Sequence, residues 1–481
     1  MANRRFRRFK RGEVIEVSIE RMAFGGKGIA LIPTDEGQFT VFVQNTLPGQ
    51  QVLARVVKCK NRYAECKLEK VLERAPEETD IPYQEIPGAP YAQLPMEKQL
   101  EYKEATALDL YRRIGKVEHL EDVYEGIQAS PADWHYRNKM EYSFSAIGFD
   151  REKESDYDGF ALGFKHRGTW WMVENLDDDS GLFDAELESK LHVLRDWFEA
   201  TGLPAWHPPK REGFYRFFVA RKSFHSDRLL LNLVTTSDDL EQFDREAFVA
   251  KATDVWGERI AGILHTINDD KGERVEARSG SSTVIYGDEK IVERINGLDF
   301  AISMSSFFQT NPQSAEKLYD GVIDYAGQPE GDDQLLMDLF CGTGTIAQLL
   351  AKGTGREVIG VDIVKSAIED ARENAKRNGV ENVTFHAADA GKFLLEFPEY
   401  AGRIDTIVLD PPRAGISPKT LRKVIRLGAR RIVYVSCNPA TQARDTQVLA
   451  EAGYRLDRLK LVDQFPHTAH VEALAQFNLQ P

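Results

Sequence analysis

The sequence predicts an α/β chain: a doubly wound, mostly parallel seven-stranded sheet at the C-terminal end, behind a small β-barrel and a central α+β domain built on antiparallel sheet. Three observations carry this. Beyond about Ser305, apolar strands alternate with helical text; from Gly12 to Glu73, short valine-rich runs alternate apolar and polar; between them, strands follow one another with few helices. At 481 residues the chain exceeds what one hydrophobic core supports, so several domains are expected.

The runs "EVIEVSIERMAFGGKGIALI" and "QFTVFVQNTLPGQQVLARVVKCKNRYAECKLEKV" are broken at "FGGKG" and "NTLPGQ". They spell a five-stranded antiparallel barrel of the nucleic-acid-binding kind over residues 1–73, whose later strands carry Lys58, Lys60, Arg62, Lys67 and Lys70. Ahead of it, Arg4, Arg5, Arg7, Arg8, Lys10 and Arg11 interleave with Phe6 and Phe9. Such an arm neutralises phosphates and stacks on bases, or is a solubilising tail. The overall formal charge of −14 argues against a protein that coats nucleic acid.

Residues 74–95 read as a proline-rich linker, and 96–125 as a helix packing on the C-terminal domain, with Leu100, Ala107, Leu108 and Tyr111 at helical spacing. Residues 126–304 form the central domain, with "ALGFKHRGTWWMV", "GFYRFFVARKSF", "LLLNLVT" and "STVIYGDEKIVERINGLDFAISM" as strands, and helices expected at Leu182–Ala200 and Leu240–Asn268. Arg216, Arg221 and Lys222 face either RNA or plain solvent. In residues 305–481, strands are marked at "LLMDLF", "EVIGVDI", "VTFHAAD", "TIVLDPP" and "RIVYVSC", with a terminal hairpin near 455–464 and 470–477.

No apolar run approaches the roughly 20 residues needed to cross a bilayer. Four cysteines are too few for a disulfide scaffold, so a reducing, cytoplasmic setting is expected.

In "LLMDLFCGTGTIAQLL" a strand runs into Gly342 and Gly344 and then a helix, and Asp362 ends the next strand twenty residues beyond Gly342. Glycines there let a ligand lie against the backbone, and the carboxylate can accept from ribose hydroxyls. Dinucleotide sites share this spacing, but the third glycine is missing and Asp338 opens the motif, which suits an S-adenosylmethionine site with Asp389 near the adenine. "LDPPRAG" ends the fourth strand, where Asp-Pro-Pro makes a rigid turn. Cys437, in "VYVSCNPATQARD", is a small core residue or a nucleophile; Glu472, in "DQFPHTAHVEAL", is an exposed strand glutamate or a base. Carbon 5 of uracil is a poor nucleophile: a thiolate at carbon 6 activates it, and a base must then remove the C5 proton. His467 and His470 read as polar residues shaping a turn, and Cys341 as packing.

Together "YRNKMEYSF", "SFFQTNP", "DLFCGTGTIA", "LDPPRAG", "VYVSCNPATQARD" and "FPHTAHVE" resemble, in order and over essentially the whole chain, the RNA uracil-C5 methyltransferases that form 5-methyluridine. The resemblance implies a Rossmann-like class I methyltransferase domain and an OB-like TRAM barrel at the N-terminus. It implies Cys437 as nucleophile and Glu472 as base. Gln309, Phe340, Thr345, Asp362, Asp389 and Asp410 would join Gly342 and Gly344 around S-adenosylmethionine, Asp410 also meeting the uracil. Phe307 would stack on a flipped base, with Arg137 and Lys139 as further substrate contacts. The dipole of the helix after Asn438-Pro439 is expected to lower the Cys437 pKa.

Thr345 departs from the asparagine frequent there. Many relatives also hold a [4Fe-4S] cluster, but Ile81, Pro87 and Pro90 stand at the ligand positions, so no cluster and no metal is predicted. The expected substrate is RNA, 23S ribosomal RNA being favoured over the transfer-RNA T-loop, with no membrane and no obligate protein partner. A non-catalytic RNA-binding or RNA-folding protein is the alternative of another class, and methylation of an exocyclic amine is disfavoured by Arg413 after the prolines.

Overall fold

The computed structural model describes residues 8–35, 37–275, 280–331 and 333–480, so Arg4, Arg5, Phe6 and Arg7 of the basic arm lie outside the described residues. The N-terminal unit has six strands: β1 (Val14–Ser18), β2 (Arg21–Ala23), β3 (Lys27–Thr34), β4 (Gly37–Gln44), β5 (Gln51–Cys59) and β6 (Tyr63–Glu73). Their order is β1-β5-β6-β4-β3-β2, and β4 runs parallel to β6, so the expected five-stranded, wholly antiparallel barrel gains a short strand and one parallel pairing. Val41, Val43, Val52, Ala54 and Ala64 fill its interior.

Helix α1 (Met96–Arg113) and the single turn α2 (Leu120–Val123) lead into β7 (Tyr124–Gln128), which pairs parallel with a C-terminal strand. The segment assigned to a helix over 96–125 thus ends in a strand, and the large sheet has eight strands, not seven. Ala107 and Tyr111 of α1 pack in the same core as Ala443 and Leu449.

The central sheet is built from β8 (Lys139–Asp150), β9 (Ser155–Lys165), β10 (Val173–Asn175), α3 (Ala185–Ser189), α4 (Leu191–Ala200), β11 (Tyr215–Lys222), β12 (Leu229–Thr235), α5 (Arg245–Trp256), β13 (Ile260–Ile267) and β14 (Ser281–Gly287). Helix α5 covers only the first half of the helix expected at Leu240–Asn268. Gly257, at φ 58°, ends it, and the apolar run "IAGIL" becomes β13, buried and parallel to β12. A continuous apolar run suits a strand covered on both faces, which periodicity alone does not separate from a helix.

The hairpin β15 (Lys290–Ile295) and β16 (Leu298–Ser303) leaves the central sheet. Its Lys290 meets Asp370 at 2.7 Å and the Ala301 N–H donates to Asn374 at 2.9 Å, tying it to the C-terminal unit ahead of the boundary expected at 304. That unit comprises α6 (Pro312–Ala326), β17 (Leu335–Leu339), α7 (Thr345–Thr354), β18 (Val358–Asp362), α8 (Lys365–Asn378), β19 (Val383–Ala387), α9 (Phe393–Glu396), β20 (Ile404–Leu409), α10 (Pro418–Ile425), β21 (Arg431–Ser436), α11 (Pro439–Glu451), β22 (Tyr454–Val462) and β23 (Glu472–Leu479). The sheet order is β19-β18-β17-β20-β21-β23-β22-β7. The strand order reverses between β17 and β20, the position where open α/β sheets bind ligands beyond their carboxyl ends. Among the described residues, no helix is long and apolar enough to cross a membrane.

Candidate active site

Strand β17 ends in a left-handed turn: φ is 67° at Phe340, 53° at Gly342 and 79° at Gly344. A Cβ on Gly344 would lie 2.6 Å from the Phe385 ring and 2.9 Å from the Ala371 methyl, so glycine is what lets α7 pack this close; at Gly342 the missing side chain leaves open space above the backbone. Asp362, at the end of β18, accepts from the Gly342 N–H at 3.0 Å and from the Val364 N–H at 2.9 Å. Directly after it, Ile363 and Val364 are 70% and 50% exposed, an apolar lip beside the loop. Asp389, exposed beyond β19, accepts from the Gly391 N–H at 2.9 Å. Thr345 and Gln309 are buried and Phe340 is partly buried; Gln309 is held by its carbonyl, which accepts from Asn138 at 3.0 Å. A bare left-handed loop, a carboxylate beside it and an apolar lip for a flat base fit a nucleoside such as that of S-adenosylmethionine.

Cys437 follows the last residue of β21, and Glu472 is the first residue of β23. Ser436 pairs with Ala473, so one further step of the antiparallel register sets Cys437 across from Glu472. Glu472 is 2% exposed, not the exposed strand glutamate that was one of the two readings of it. Burial, reinforced by Asp410, pushes its carboxyl well above the usual range. Asp410 follows β20, and burial raises it to about 7.

The Cys437 thiol is pushed up to about 12, by burial first and then by Glu472 and Asp410. This corrects the expectation of a lowered pKa. Helix α11 does begin there, with Asn438 capping the Ala440 N–H, but loss of water and two carboxylates outweigh the end of one helix. Arg413 opposes them, lowering both the thiol and Glu472; its guanidinium lies 3.2 Å from the His470 ring. Sequence reasoning used Arg413 only against another reading, and nothing in "DPPRAG" signals that it faces Cys437. Tyr319 on α6 was also missed: it is buried and faces Asp410, Glu472, Asp338 and Gln309 at once. Asp338 is wholly buried and pushed well up by burial and by Asp410.

Phe307, 73% exposed, lines a cavity of about 710 Å³ together with Arg137 and Lys139. The structure therefore brings these three residues together. Lys139 pairs with Glu141 at 3.0 Å. The basic residues of β11 are not a solvated strand face. Arg216 is 1% exposed, donating to the carbonyls of Asn268 and Gly272 at 2.6 Å each and lying over Trp206; Lys222 bridges Asp184 and Asp227. Phe217 and Val219 of β11 pack into one apolar core and Phe218 and Ala220 into another, so both faces of the strand are covered.

The loop carrying Glu472 is anchored from the N-terminal side. Lys103 and Asp463, both fully buried, form an ion pair at 2.7 Å. His467, at φ 63°, stacks on Trp134 at 3.6 Å, and its N–H donates to Gln99 at 2.8 Å. Tyr136 donates to the Pro466 carbonyl at 2.9 Å. Burial lowers both His467 and His470 to about 4, which keeps them neutral. In the stretch holding Ile81, Pro87 and Pro90, Gln84 fastens the chain to the central domain through Asn175, Asp177 and Asp178. The cysteines are all free, and Cys341 is buried in the glycine loop. Among the described residues, no group of three His, Cys, Asp or Glu side chains is arranged to hold a metal.

A family model described as tRNA (Uracil-5-)-methyltransferase matches residues 250–476, and one described as TRAM domain matches residues 8–68. An uncharacterized RNA methyltransferase of Caldanaerobacter subterraneus subsp. tengcongensis is 36% identical over 96% of this chain and 98% of its own. Another, of Clostridium acetobutylicum, is 36% identical over 97% of each. Among solved structures, the Pyrococcus abyssi tRNA (uracil-54, C5)-methyltransferase in complex with S-adenosyl-L-homocysteine superposes with a TM-score of 0.69. It is 27% identical, over 96% of this chain and 100% of that one.

Proposed function

This chain belongs to the RNA uracil-C5 methyltransferase family, and from that premise we propose that it methylates carbon 5 of one uridine in structured RNA through a covalent adduct on Cys437. S-adenosylmethionine is its cofactor and supplies an electrophilic methyl group. The observation that carries the reading is the register of Cys437 against Glu472, with Asp410 beside both.

In this reading the target uridine leaves its stack, as chemistry on a base ring requires, and rests on Phe307. The Cys437 sulfur adds to C6, and the C5–C6 π electrons move toward the C4 carbonyl, making C5 nucleophilic. After C5 has gained its methyl, Glu472 takes the C5 proton, the C5=C6 bond re-forms and the C6–S bond breaks. Both Cys437 and Glu472 must ionise to act, and the free protein holds both protonated through burial. Arg413 is the cation that favours their charged forms. Asp410, near 7, can donate to or accept from the uracil edge at working pH. Asp362 holds the ribose, and Ile363 and Val364 the adenine face.

The basic arm and barrel favour 23S ribosomal RNA as substrate, and the free thiols suit a cytoplasmic enzyme. A transfer-RNA T-loop uridine is the second reading, supported by the Pyrococcus abyssi neighbour, a tRNA (uracil-54, C5)-methyltransferase. The test of the chemistry is incubation with S-adenosylmethionine and 5-fluorouridine-substituted RNA. Fluorine does not leave as a proton does, so a covalent complex on Cys437 is expected; bound RNA without adduct overturns the reading. Mapping 5-methyluridine in a deletion strain decides the substrate: loss from the T-loop alone removes the ribosomal assignment.

A further inference from the structure

The cavity beneath Phe307 holds one arginine that neither the site residues nor the mechanism uses. Arg221, near the end of β11, is 2% exposed and lines the cavity with Arg137, Lys139, Ser305, Ser306 and Phe307. One arm of its guanidinium is committed: Nη2 donates to the Ser306 carbonyl at 2.8 Å and contacts the Met304 carbonyl at 3.4 Å. The other arm is not, because Nε and Nη1 find no hydrogen-bond partner among the described residues.

A buried guanidinium without a carboxylate is costly, because burial disfavours the charge and leaves strong donors unmade. Burial does lower Arg221 to about 10, against weak support from Glu141 and Glu293. Neither acid is free to pair with it: Glu141 is taken by Lys139, and Glu293 accepts from the N–H groups of Phe224, His225 and Arg294. With Arg137, Lys139 and Arg221 against Glu141 alone, the cavity is a net cation, lined by two serines and an exposed aromatic ring. An anion with several acceptor oxygens is what completes it.

We propose that Arg221 receives a phosphodiester of the RNA strand beside the target uridine and, through its hold on Ser306, fixes the loop that presents Phe307. The inference rests on the functional reading above, since it takes the cavity's occupant to be substrate RNA. Its physical content is a coupling. The same planar group that binds the phosphate already holds the carbonyl preceding Phe307, and Gln309 follows two residues later. A correctly seated backbone therefore sets the stacking ring and the cofactor-facing segment together, which favours RNA over a free nucleotide.

The test is a charge-deletion cycle on binding. Each phosphodiester flanking the target is replaced singly by a neutral methylphosphonate, and RNA affinity is measured for the full chain and for Arg221→Gln. One linkage is expected to weaken wild-type binding about tenfold and to have less than about a twofold effect in the variant. The salt dependence of affinity should also fall by about one counterion in Arg221→Gln and be restored by Arg221→Lys. Equal losses in both proteins would make Arg221 a loop tether only and overturn the proposal. Should Arg221→Gln fail to fold, the scan on wild type still decides, since no sensitive linkage excludes a phosphate site. The cycle reads binding alone: an adduct on Cys437 without a sensitive linkage removes the role of Arg221 and leaves the reaction standing.

Discussion

Cys437 and Glu472 face each other across two neighbouring antiparallel strands, one register step beyond Ser436 and Ala473, although 35 residues separate them in sequence. Glu472 is paired with Val462 inside the sheet and Cys437 is the first residue beyond β21, so the last paired step, Ser436 with Ala473, sets their opposition. In the proposed reaction this fixes the sulfur and the base on one uracil ring.

Replacing the thiol tests the first half of that arrangement. Cys437→Ala is expected to abolish 5-methyluridine formation while leaving RNA affinity within about twofold, because the side chain is small and partly exposed. Nucleoside analysis by mass spectrometry and a filter-binding titration separate the two effects.

Replacing the carboxylate should stop the reaction later. With Glu472→Gln, the C5 proton has no acceptor, so methylated RNA should remain attached to Cys437 and be visible on a denaturing gel with unmodified RNA. Turnover should fall by about 10²- to 10⁴-fold, the usual contribution of a positioned base. Normal release of product would remove Glu472 from that role.

The titrating groups predict a rising pH profile. Both Cys437 and Glu472 are shifted up, so the rate should increase as pH rises through neutrality and above. Arg413→Ala should move the limb to higher pH, since Arg413 lowers both groups, and Asp410→Asn should move it to lower pH, since Asp410 raises both. Single-turnover rates between pH 6 and 10 check the two directions.

Stability should follow Asp410 with a definite sign. Its folded pKa, about 7, lies above the unfolded value near 3.9, so its favourable contribution is full at low pH and is lost as pH rises through 7. Asp410→Asn should therefore raise Tm more at pH 8 than at pH 5; an equal change at both would contradict a raised pKa.

The buried pair Lys103–Asp463 predicts a penalty that a second change relieves. Lys103→Met leaves the carboxylate uncompensated and should cost about 3–5 kcal/mol in urea unfolding. Lys103→Met/Asp463→Leu should recover most of it, because two apolar groups leave no buried charge behind.

The sequence by itself determined the alternation of strand and helix after Ser305, the glycine loop with Asp362 beside it, and the short motifs from which the candidate residues are read. Those signals are local: periodicity, left-handed glycines and short motifs fall within one element or its turn. Tertiary structure alone decided what those residues feel. Cys437 is acidified by a helix end when read along the chain, but in the fold burial and two carboxylates from other strands prevail. Arg216 and Arg221 read along the chain as charges open to RNA or solvent, yet both faces of β11 are packed against apolar cores. The run after α5 became a strand because β12 offered it a parallel partner, and β7 joined the large sheet because β22 lay open beside it. Burial, charge proximity and strand pairing are sums over distant segments, and no window of the sequence contains those sums.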